Sequence, residues 1–226
     1  MKADTIVMYD ALIVAGGKGQ RVGLDYNKVL YKIKGKMILD YAVHPFFIDA
    51  RCSTIIIVSS EEDFKMLKKH FSASKFLVVL GGNTRQESVY NGLKAVKSDY
   101  VLIHDGARAY LTLDMIDNVL NGLRYFNSVS CGVEVVDTLK RVEEGLSVGD
   151  VKREALFHIQ TPQGFLSDTV MRAHDKLKHQ YMSLTCDASI VETMLDIPTK
   201  IVPGDKRNIK FTTQQDAQLL EMILND

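Results

Sequence analysis

The sequence predicts an α/β protein: a three-layer sandwich around a mostly parallel (mixed), Rossmann-like sheet, with a protruding β-hairpin arm. Three observations carry that expectation. Short apolar runs alternate with longer amphipathic segments, as strands and helices do in a doubly wound sheet. The first run, Ala11 to Val14, empties into a loop with glycines at 16, 17 and 19. One polar stretch, residues 137–155, breaks the alternation.

Taken in order, the run ending at Val14 reads as a buried strand. Thr54–Ser59 is rich in β-branched residues and reads as the next, followed by a helix over 61–71 with Phe64, Leu67, Lys68 and Phe71 on one face. Phe76–Leu80 is a strand, and a helix over about 86–96 carries Val89, Leu93 and Val96. Tyr100–His104 and Ser130–Val136 are strands around a helix over 113–124. Residues 137–155 read as a hairpin turning near Glu144 and Gly145, with too few apolar residues to bury both faces. Such an arm suits a solvated ribbon or a dimerisation element equally. Helices over 167–178 and 187–195, a strand Thr199–Val202 and a helix over 213–224 complete the pattern.

A chain of 226 residues supports one sizeable core, and with four prolines, no repeat and no low-complexity tract nothing marks a linker. Residues 1–226 are therefore read as a single domain, with the arm at 137–155 inside it. The 28 basic residues balance 28 acidic ones, which argues against bulk nucleic-acid or anionic-membrane binding. Anion binding must come from a few placed cations. Cys52, Cys131 and Cys186 are odd in number and far apart, which disfavours a disulfide scaffold or zinc site and fits a reducing compartment. Met1–Tyr9 lacks a signal-peptide core, and no window approaches the roughly 18 apolar residues of a membrane span. A cytoplasmic protein is expected.

Polar residues at strand C-termini are the candidate site. The first loop brings Lys18 and Arg21 to the glycine turn, with Lys28 seven residues further on. Glycine backbones approach anions closely, and guanidinium forks match phosphate oxygens. The spacing is neither a P-loop nor a dinucleotide fingerprint, and it also suits a plain strand-to-helix turn. A second glycine turn, Gly81-Gly82-Asn83-Thr84, opens a helix with Arg85 and Ser88 on one face. Asp105 follows a hydrophobic strand within His104-Asp105-Gly106-Ala107-Arg108, where it suits either a Mg²⁺ ligand or a local ion pair with Arg108. Thr161-Pro162-Gln163, Thr185 to Ser189, and Asn208 to Thr213 each put hydroxyls or a cation at an element boundary. His44, His70, His158, His174 and His179 show no metal-ligand spacing and read as structural or surface residues. No serine or cysteine is set up as a nucleophile.

With these residues assembled, the chain resembles the CDP-polyol nucleotidyltransferase family, and within it the cytidylyltransferases acting on 2-C-methyl-D-erythritol 4-phosphate. The resemblance runs from about residue 10 to 224 and rests on eight ordered pieces: Ala15 to Arg21, Asn27-Lys28, Gly81 to Val89, His104 to Arg108, Asp137 to Arg141, Arg153 before Thr161-Pro162-Gln163, Asp187 to Ser189, and Asn208 to Lys210. It implies a homodimeric enzyme of non-mevalonate isoprenoid synthesis that uses CTP and a divalent cation, Mg²⁺. By resemblance Ala15, Gly16, Gly17, Gly19, Arg21 and Lys28 bind the triphosphate, while Gly82, Asn83, Arg85, Ser88 and Ala107 surround the rest of the nucleotide. Asp105 binds the metal. Arg108, Thr138, Arg153, Thr161, Thr185 and Lys210 approach the polyol phosphate, with Thr138 and Arg153 reaching across from the partner's arm. The catalytic set it implies is Arg21, Lys28, Asp105, Arg153 and Lys210.

The sequence departs from the family pattern at Ala109, where a proline is usual, and at Cys186, where an acidic residue is common. Asn83 and Asn27 also replace commoner residues. Two other functions are weighed. A ribitol 5-phosphate cytidylyltransferase of cell-wall polymer synthesis tends to differ at Ala107 and Ser189. A non-catalytic nucleotide sensor has no need to keep Arg21, Lys28, Asp105 and Lys210 together.

Overall fold

The central strands read as unbroken apolar runs because helices cover both of their faces. The computed structural model describes residues 7–17, 23–178, 180, 182 and 184–225. Lys18, Gly19 and Arg21 of the first glycine loop lie outside the described residues, as does His179.

The main sheet contains β1 (Tyr9–Val14), β4 (Cys52–Ser59), β5 (Phe76–Leu80), β6 (Tyr100–Asp105), β7 (Ser128–Glu134), β10 (Phe157–Leu166) and β11 (Lys200–Pro203), in the order β11-β7-β10-β6-β1-β4-β5. All neighbours pair in parallel except β10, which runs against both β6 and β7. Alternation then sorts the side chains. Ala11, Ile13, Ile55, Ile57 and Leu102 face one core with α1 (Ile38–Ile48), α2 (Glu61–His70), α4 (Leu113–Leu123) and α7 (Gln214–Ile223). Leu12, Ile56, Val58, Val101, Ile103 and Phe165 face the other, with α3 (Arg85–Leu93), α5 (Ser167–Leu177) and α6 (Asp187–Leu195). The expected three layers are present, and the sheet is mixed only through β10.

Two large elements have no counterpart in the sequence patterns. Helix α1 is apolar nearly throughout and contains Pro45, which cannot donate to the helical ladder. Strand β10 contains Pro162 and Gly164, residues that read as a turn. A small ribbon, β2 (Lys32–Ile33) with β3 (Lys36–Met37), precedes α1. The structure also corrects boundaries. β7 runs from 128 to 134, two residues earlier than expected, and α3 stops at Leu93, after which Ala95 and Val96 bond back only three residues.

Residues 137–155 form the expected hairpin. β8 (Leu139–Glu143) and β9 (Leu146–Val151) pair only with each other, and Glu144 and Gly145 turn the chain with φ of 48° and 82°. Two successive left-handed residues match the right-handed twist of the flanking strands. Val142, Leu146 and Val148 are exposed on this arm. Among the described residues, no helix is long and apolar enough to cross a membrane.

The connectivity places the site. From β1 the chain winds outward through β4 to β5, and α3 then returns it to β6 on the other side of β1. Ligands of such sheets settle where the winding reverses, beyond the strand C-termini. Asp10, at 1% exposure, holds this return in place: its Oδ2 accepts the Lys97 and Ser98 amides at 2.8 and 2.9 Å. Asp10→Ala orphans both amides and should lower stability by about 2–4 kcal/mol, whereas Asp10→Asn keeps an acceptor and should cost less. Urea unfolding of the two variants checks the order.

Candidate active site

A cleft of about 580 Å³ opens over the C-terminal ends of β1, β4, β5 and β6. Gly16, Gly17, Lys28, Ser59, Ser60 and the turn from Gly81 to Arg85 form one wall; Asp105, Ala107 and Lys210 form the other. Residues assembled from the sequence over nearly two hundred positions thus share one cavity.

Asn27 sets the first wall. Its Nδ2 donates to the Ala15 carbonyl at 2.5 Å and to Asp63 Oδ2 at 2.8 Å, while its Oδ1 accepts the Val29 amide. One buried amide therefore ties the end of β1 and the first turn of α2 to the 3-10 turn Lys28–Leu30, and so aims Lys28 into the cleft. Ala15 itself is buried and donates to the Val58 carbonyl.

The second turn is tight. A Cβ on Gly81 would lie 2.7 Å from Ser88 Oγ and 3.2 Å from the Ser59 carbonyl, and one on Gly82 would overlap the Glu87 side chain. Ser88 Oγ accepts the Gly82 amide at 3.1 Å, Glu87 accepts the Asn83 amide at 2.7 Å, and Thr84 caps α3 through the Glu87 amide. The Asn83 side chain stays exposed at the cleft.

Asp105 is the electrostatic centre. Lys210 Nζ lies 2.7 Å from it, Arg85 Nη2 3.5 Å and Arg108 Nε 3.9 Å. Burial acts to raise its pKa, but Arg85, Lys210 and Arg108 outweigh that and hold the carboxyl well below the usual range. Arg85 also donates to Asp187 at 2.7 Å, and Asp187, wholly buried, faces His174 Nε2 at 3.3 Å. The guanidinium is thus shared by two carboxylates, and Asp187 too is pulled down, Arg85 leading His174 in overcoming its burial. The expected Asp105–Arg108 pair exists but is the longest of the three contacts.

The wall that carries Lys210 is anchored to β10. Between Ile159 and Gln163 the β10–β7 register shifts, a bulge of the kind that re-aims side chains beside active sites. Gln160 exchanges bonds with both backbone groups of Asp205, and Asn208 Nδ2 donates to the Thr161 carbonyl at 2.7 Å. Arg108 Nη1 donates to the Asn208 carbonyl at 2.6 Å, and the Phe211 amide donates to the Ala107 carbonyl. Thr161 points inward: its hydroxyl contacts the Asp105 amide and His104, and it is 5% exposed.

Other expected residues lie elsewhere. Thr138 and Arg153 are exposed at the base of the arm, outside the lining of the cleft, and Arg153 donates to the Val136 carbonyl. Thr185 is exposed just before α6. Arg21 and Gly19 fall outside the described residues. The sequence placed Asn27 and His104 inside family-like motifs and read His174 as structural, but it did not show the bonds that Asn27, His104 and Gln160 make to Asp63, Thr161 and Asp205, because those partners are distant in the chain. His44, His70 and His158 are on the surface as expected, and among the described residues no group of three His, Cys, Asp or Glu could hold a metal. The three cysteines are free, and burial pushes the Cys52 and Cys131 thiols up to about 12, so both stay protonated.

Comparison with known proteins gives a consistent result. A model of the 2-C-methyl-D-erythritol 4-phosphate cytidylyltransferase family matches residues 9–226. A 2-C-methyl-D-erythritol 4-phosphate cytidylyltransferase of Clostridium novyi is 38% identical over 223 residues, covering 96% of each chain. One of Bacillus mycoides is 37% identical, covering 96% of this chain and 98% of its own. The crystal structure of 4-diphosphocytidyl-2C-methyl-D-erythritol synthase from Anaerococcus prevotii superposes with a TM-score of 0.86 at 26% identity, covering 98% of this chain and all of that one.

The Asp187 network has a pH signature. A carboxylate whose folded pKa is depressed stabilises the protein above its unfolded value of 3.8, and that contribution is lost as pH falls below it. Between pH 5 and about pH 2, wild type should therefore lose more unfolding free energy than Asp187→Asn, which lacks the titrating group. Urea unfolding across that range measures the difference.

Proposed function

The chain belongs to the 2-C-methyl-D-erythritol 4-phosphate cytidylyltransferase family, and from that membership we propose how its cleft works. It transfers a cytidylyl group from CTP to 2-C-methyl-D-erythritol 4-phosphate, forming 4-diphosphocytidyl-2-C-methylerythritol and pyrophosphate in isoprenoid biosynthesis. A ribitol 5-phosphate acceptor is not favoured, since the matched family and relatives carry the methylerythritol name over nearly the whole chain. A sensor without catalysis is likewise set aside. The observation that carries the residue roles is one cleft holding two glycine turns, Lys28, and Asp105 paired with Lys210.

An oxygen of the acceptor phosphate attacks the α-phosphorus of CTP in line, the bond to the β-phosphate oxygen breaks, and pyrophosphate leaves with that electron pair. The nucleophile is already anionic, so no general base is required. The barrier is repulsion between two anions and the charge of a five-coordinate transition state, which cations fixed along the cleft reduce. Gly16, Gly17 and Lys28, with Gly19 and Arg21, hold the triphosphate, Arg21 and Gly19 being assigned from sequence; Ala15, expected among them, is wholly buried with its amide and carbonyl both bonded, and only leads the chain into the turn. Gly82, Asn83 and Ser88 present the cytosine side, and Ala107 closes the opposite wall. Arg85, fixed between Asp105 and Asp187, brings positive potential to the junction of nucleotide and acceptor. Arg108 and Lys210 orient the acceptor phosphate, with Thr185 at its edge; Thr161, expected to touch it, is instead buried behind the wall with its hydroxyl bonded to the Asp105 amide and His104.

Mg²⁺ suits this donor set. Asp105 is an ionised carboxylate on the cleft wall, and Mg²⁺ commonly takes one or two carboxylates with phosphate oxygens and water. When bound it offsets phosphate charge and aids departure of pyrophosphate. The whole chain acts as one nucleotidyltransferase domain in a cytoplasmic setting, a reading that the three free thiols support. The arm joins a homodimer and lends Thr138 and Arg153 to the partner's site. Its exposed Val136, Val142, Leu146 and Val148 support this, since a two-stranded ribbon alone is marginal.

Lys28→Ala and Lys210→Ala should each lower kcat about 10²–10³-fold, roughly 3–4 kcal/mol, by analogy with loss of one electrostatic donor. Pyrophosphate release with CTP, Mg²⁺ and either polyol phosphate measures this. Wild-type turnover in Lys28→Ala rejects the mechanism, and preference for ribitol 5-phosphate rejects the acceptor. Replacing residues 139–151 by a short Gly-Ser linker should give a monomer by light scattering, with acceptor turnover greatly reduced. A fully active dimer would remove the arm from the site.

A further inference from the structure

We propose that His104 is a positioning residue for the transfer: as its neutral Nε2–H tautomer it pins both charged ends of the Asp105–Arg108 turn without touching either substrate. The inference rests on the reading of Asp105 and Arg108 given above.

His104 is wholly buried at the end of β6, its ring edge-on to Phe46 at 5.7 Å between centroids. Its Nε2 lies 3.1 Å from the Arg108 carbonyl, and a carbonyl can only accept, so Nε2 carries the hydrogen. Nδ1 is then an acceptor, 2.9 Å from Thr161 Oγ1, and takes the hydroxyl hydrogen. That leaves a lone pair on Oγ1 for the Asp105 amide at 3.1 Å. The result is a directed series: Asp105 N–H to Thr161 O–H to His104 Nδ1, and His104 Nε2–H to the Arg108 carbonyl. With the hydrogen on Nδ1 instead, two lone pairs would face each other at Arg108 and the Thr161 hydrogen would have no partner. Only one tautomer satisfies every polar atom, as a buried network requires. The Arg108 amide closes the turn on the Asp105 carbonyl at 2.9 Å. One imidazole therefore links β6, the β10 bulge and the turn that presents the metal carboxylate and the acceptor guanidinium. The nucleotide wall formed by Asn27, Gly81 and Ser88 is held by other bonds.

Two substitutions separate the contacts. His104→Asn keeps an acceptor near Nδ1 and loses the donor to Arg108; His104→Gln keeps a donor near Nε2 and loses the acceptor for Thr161. Each should lower kcat/KM for the polyol phosphate about 10–100-fold, since small misplacements of reacting groups cost that much. CTP affinity by calorimetry without metal should change much less than acceptor kcat/KM, because Asn27, Gly81 and Ser88 anchor most of the nucleotide's wall. Thr161→Val should cost less in the Gln background than in the Asn background, because in the former the bond to the ring is already gone and only the one from the Asp105 amide remains to be lost. Equal weakening of CTP and acceptor, additive costs in both backgrounds, or wild-type acceptor kinetics in the folded variants would overturn the proposal.

A measurement on the unaltered ring keeps the idea testable if the His104 variants do not fold. Imidazole ¹⁵N spectra of wild type at pH 7.5 should show His104 with hydrogen on Nε2, and Thr161→Val should move its Nδ1 resonance. Hydrogen on Nδ1, or an unmoved resonance, overturns it. If wild type instead releases no pyrophosphate from CTP with methylerythritol phosphate, the functional reading fails while the tautomer result stands.

Discussion

The site is organised by the pairing of Asp105 with the cations around it. Burial alone would push that carboxyl's pKa up; Arg85, Lys210 and Arg108 together hold it well below the usual range. The dependence is mutual, because those cations would repel one another without it. Arg85 needs a second anion, and Asp187 supplies one from α6, with His174 of α5 behind it. The charges on the acceptor side therefore belong to one connected set spanning α3, α5, α6, β6 and the 205–211 segment. Such a set resists piecemeal change, since deleting one member strands the next in a poorly solvated place.

Around this core of charge the neutral contacts do the aiming. Asn27 on one wall and the Gln160–Asn208 pair on the other are amides that join segments far apart in sequence. Neither touches the other wall. The cleft is thus two separately braced surfaces, one suited to a nucleotide and one to an acceptor phosphate, that meet at Asp105. Reactions joining two anions gain from that separation, because each partner can be held before the two are brought into contact.

Much of this was legible in the sequence, for identifiable reasons. Strands such as Ile55–Val58 announce themselves because burial on both faces demands β-branched residues without interruption. The glycine turn at 81–82 is legible because close approach there tolerates nothing larger, and the one at 16–17 because an apolar strand empties into it. Helix α1 was not, because the apolar Phe47 and Ile48 on its exposed side blur the periodicity and Pro45 argues against a helix. Strand β10 was hidden by Pro162 and Gly164, whose local preference gave way to tertiary packing. Gly164 lies flush beneath α4 against Val119 and Leu123, and Gln163 bonds Ser130 and the Ala188 amide. The ion-pair network was half visible. Arg85 and Asp105 stood out by position, but the Arg85–Asp187 bond became apparent only with the fold, since nothing local links residues 102 positions apart.

The reversed direction of β10 has a consequence for how such a site can diversify. A parallel strand meets the cleft at its end, where a loop can lengthen or shorten freely. β10 meets it in mid-course, with the ladder resuming at Gln163 on one side of the bulge and ending at Ile159 on the other. An inserted residue there would shift the register on at least one flank and turn buried side chains outward. Changes of length are therefore tolerated less in this strand than in the hairpin, whose two strands pair only with each other and can grow or shrink without unravelling the main sheet.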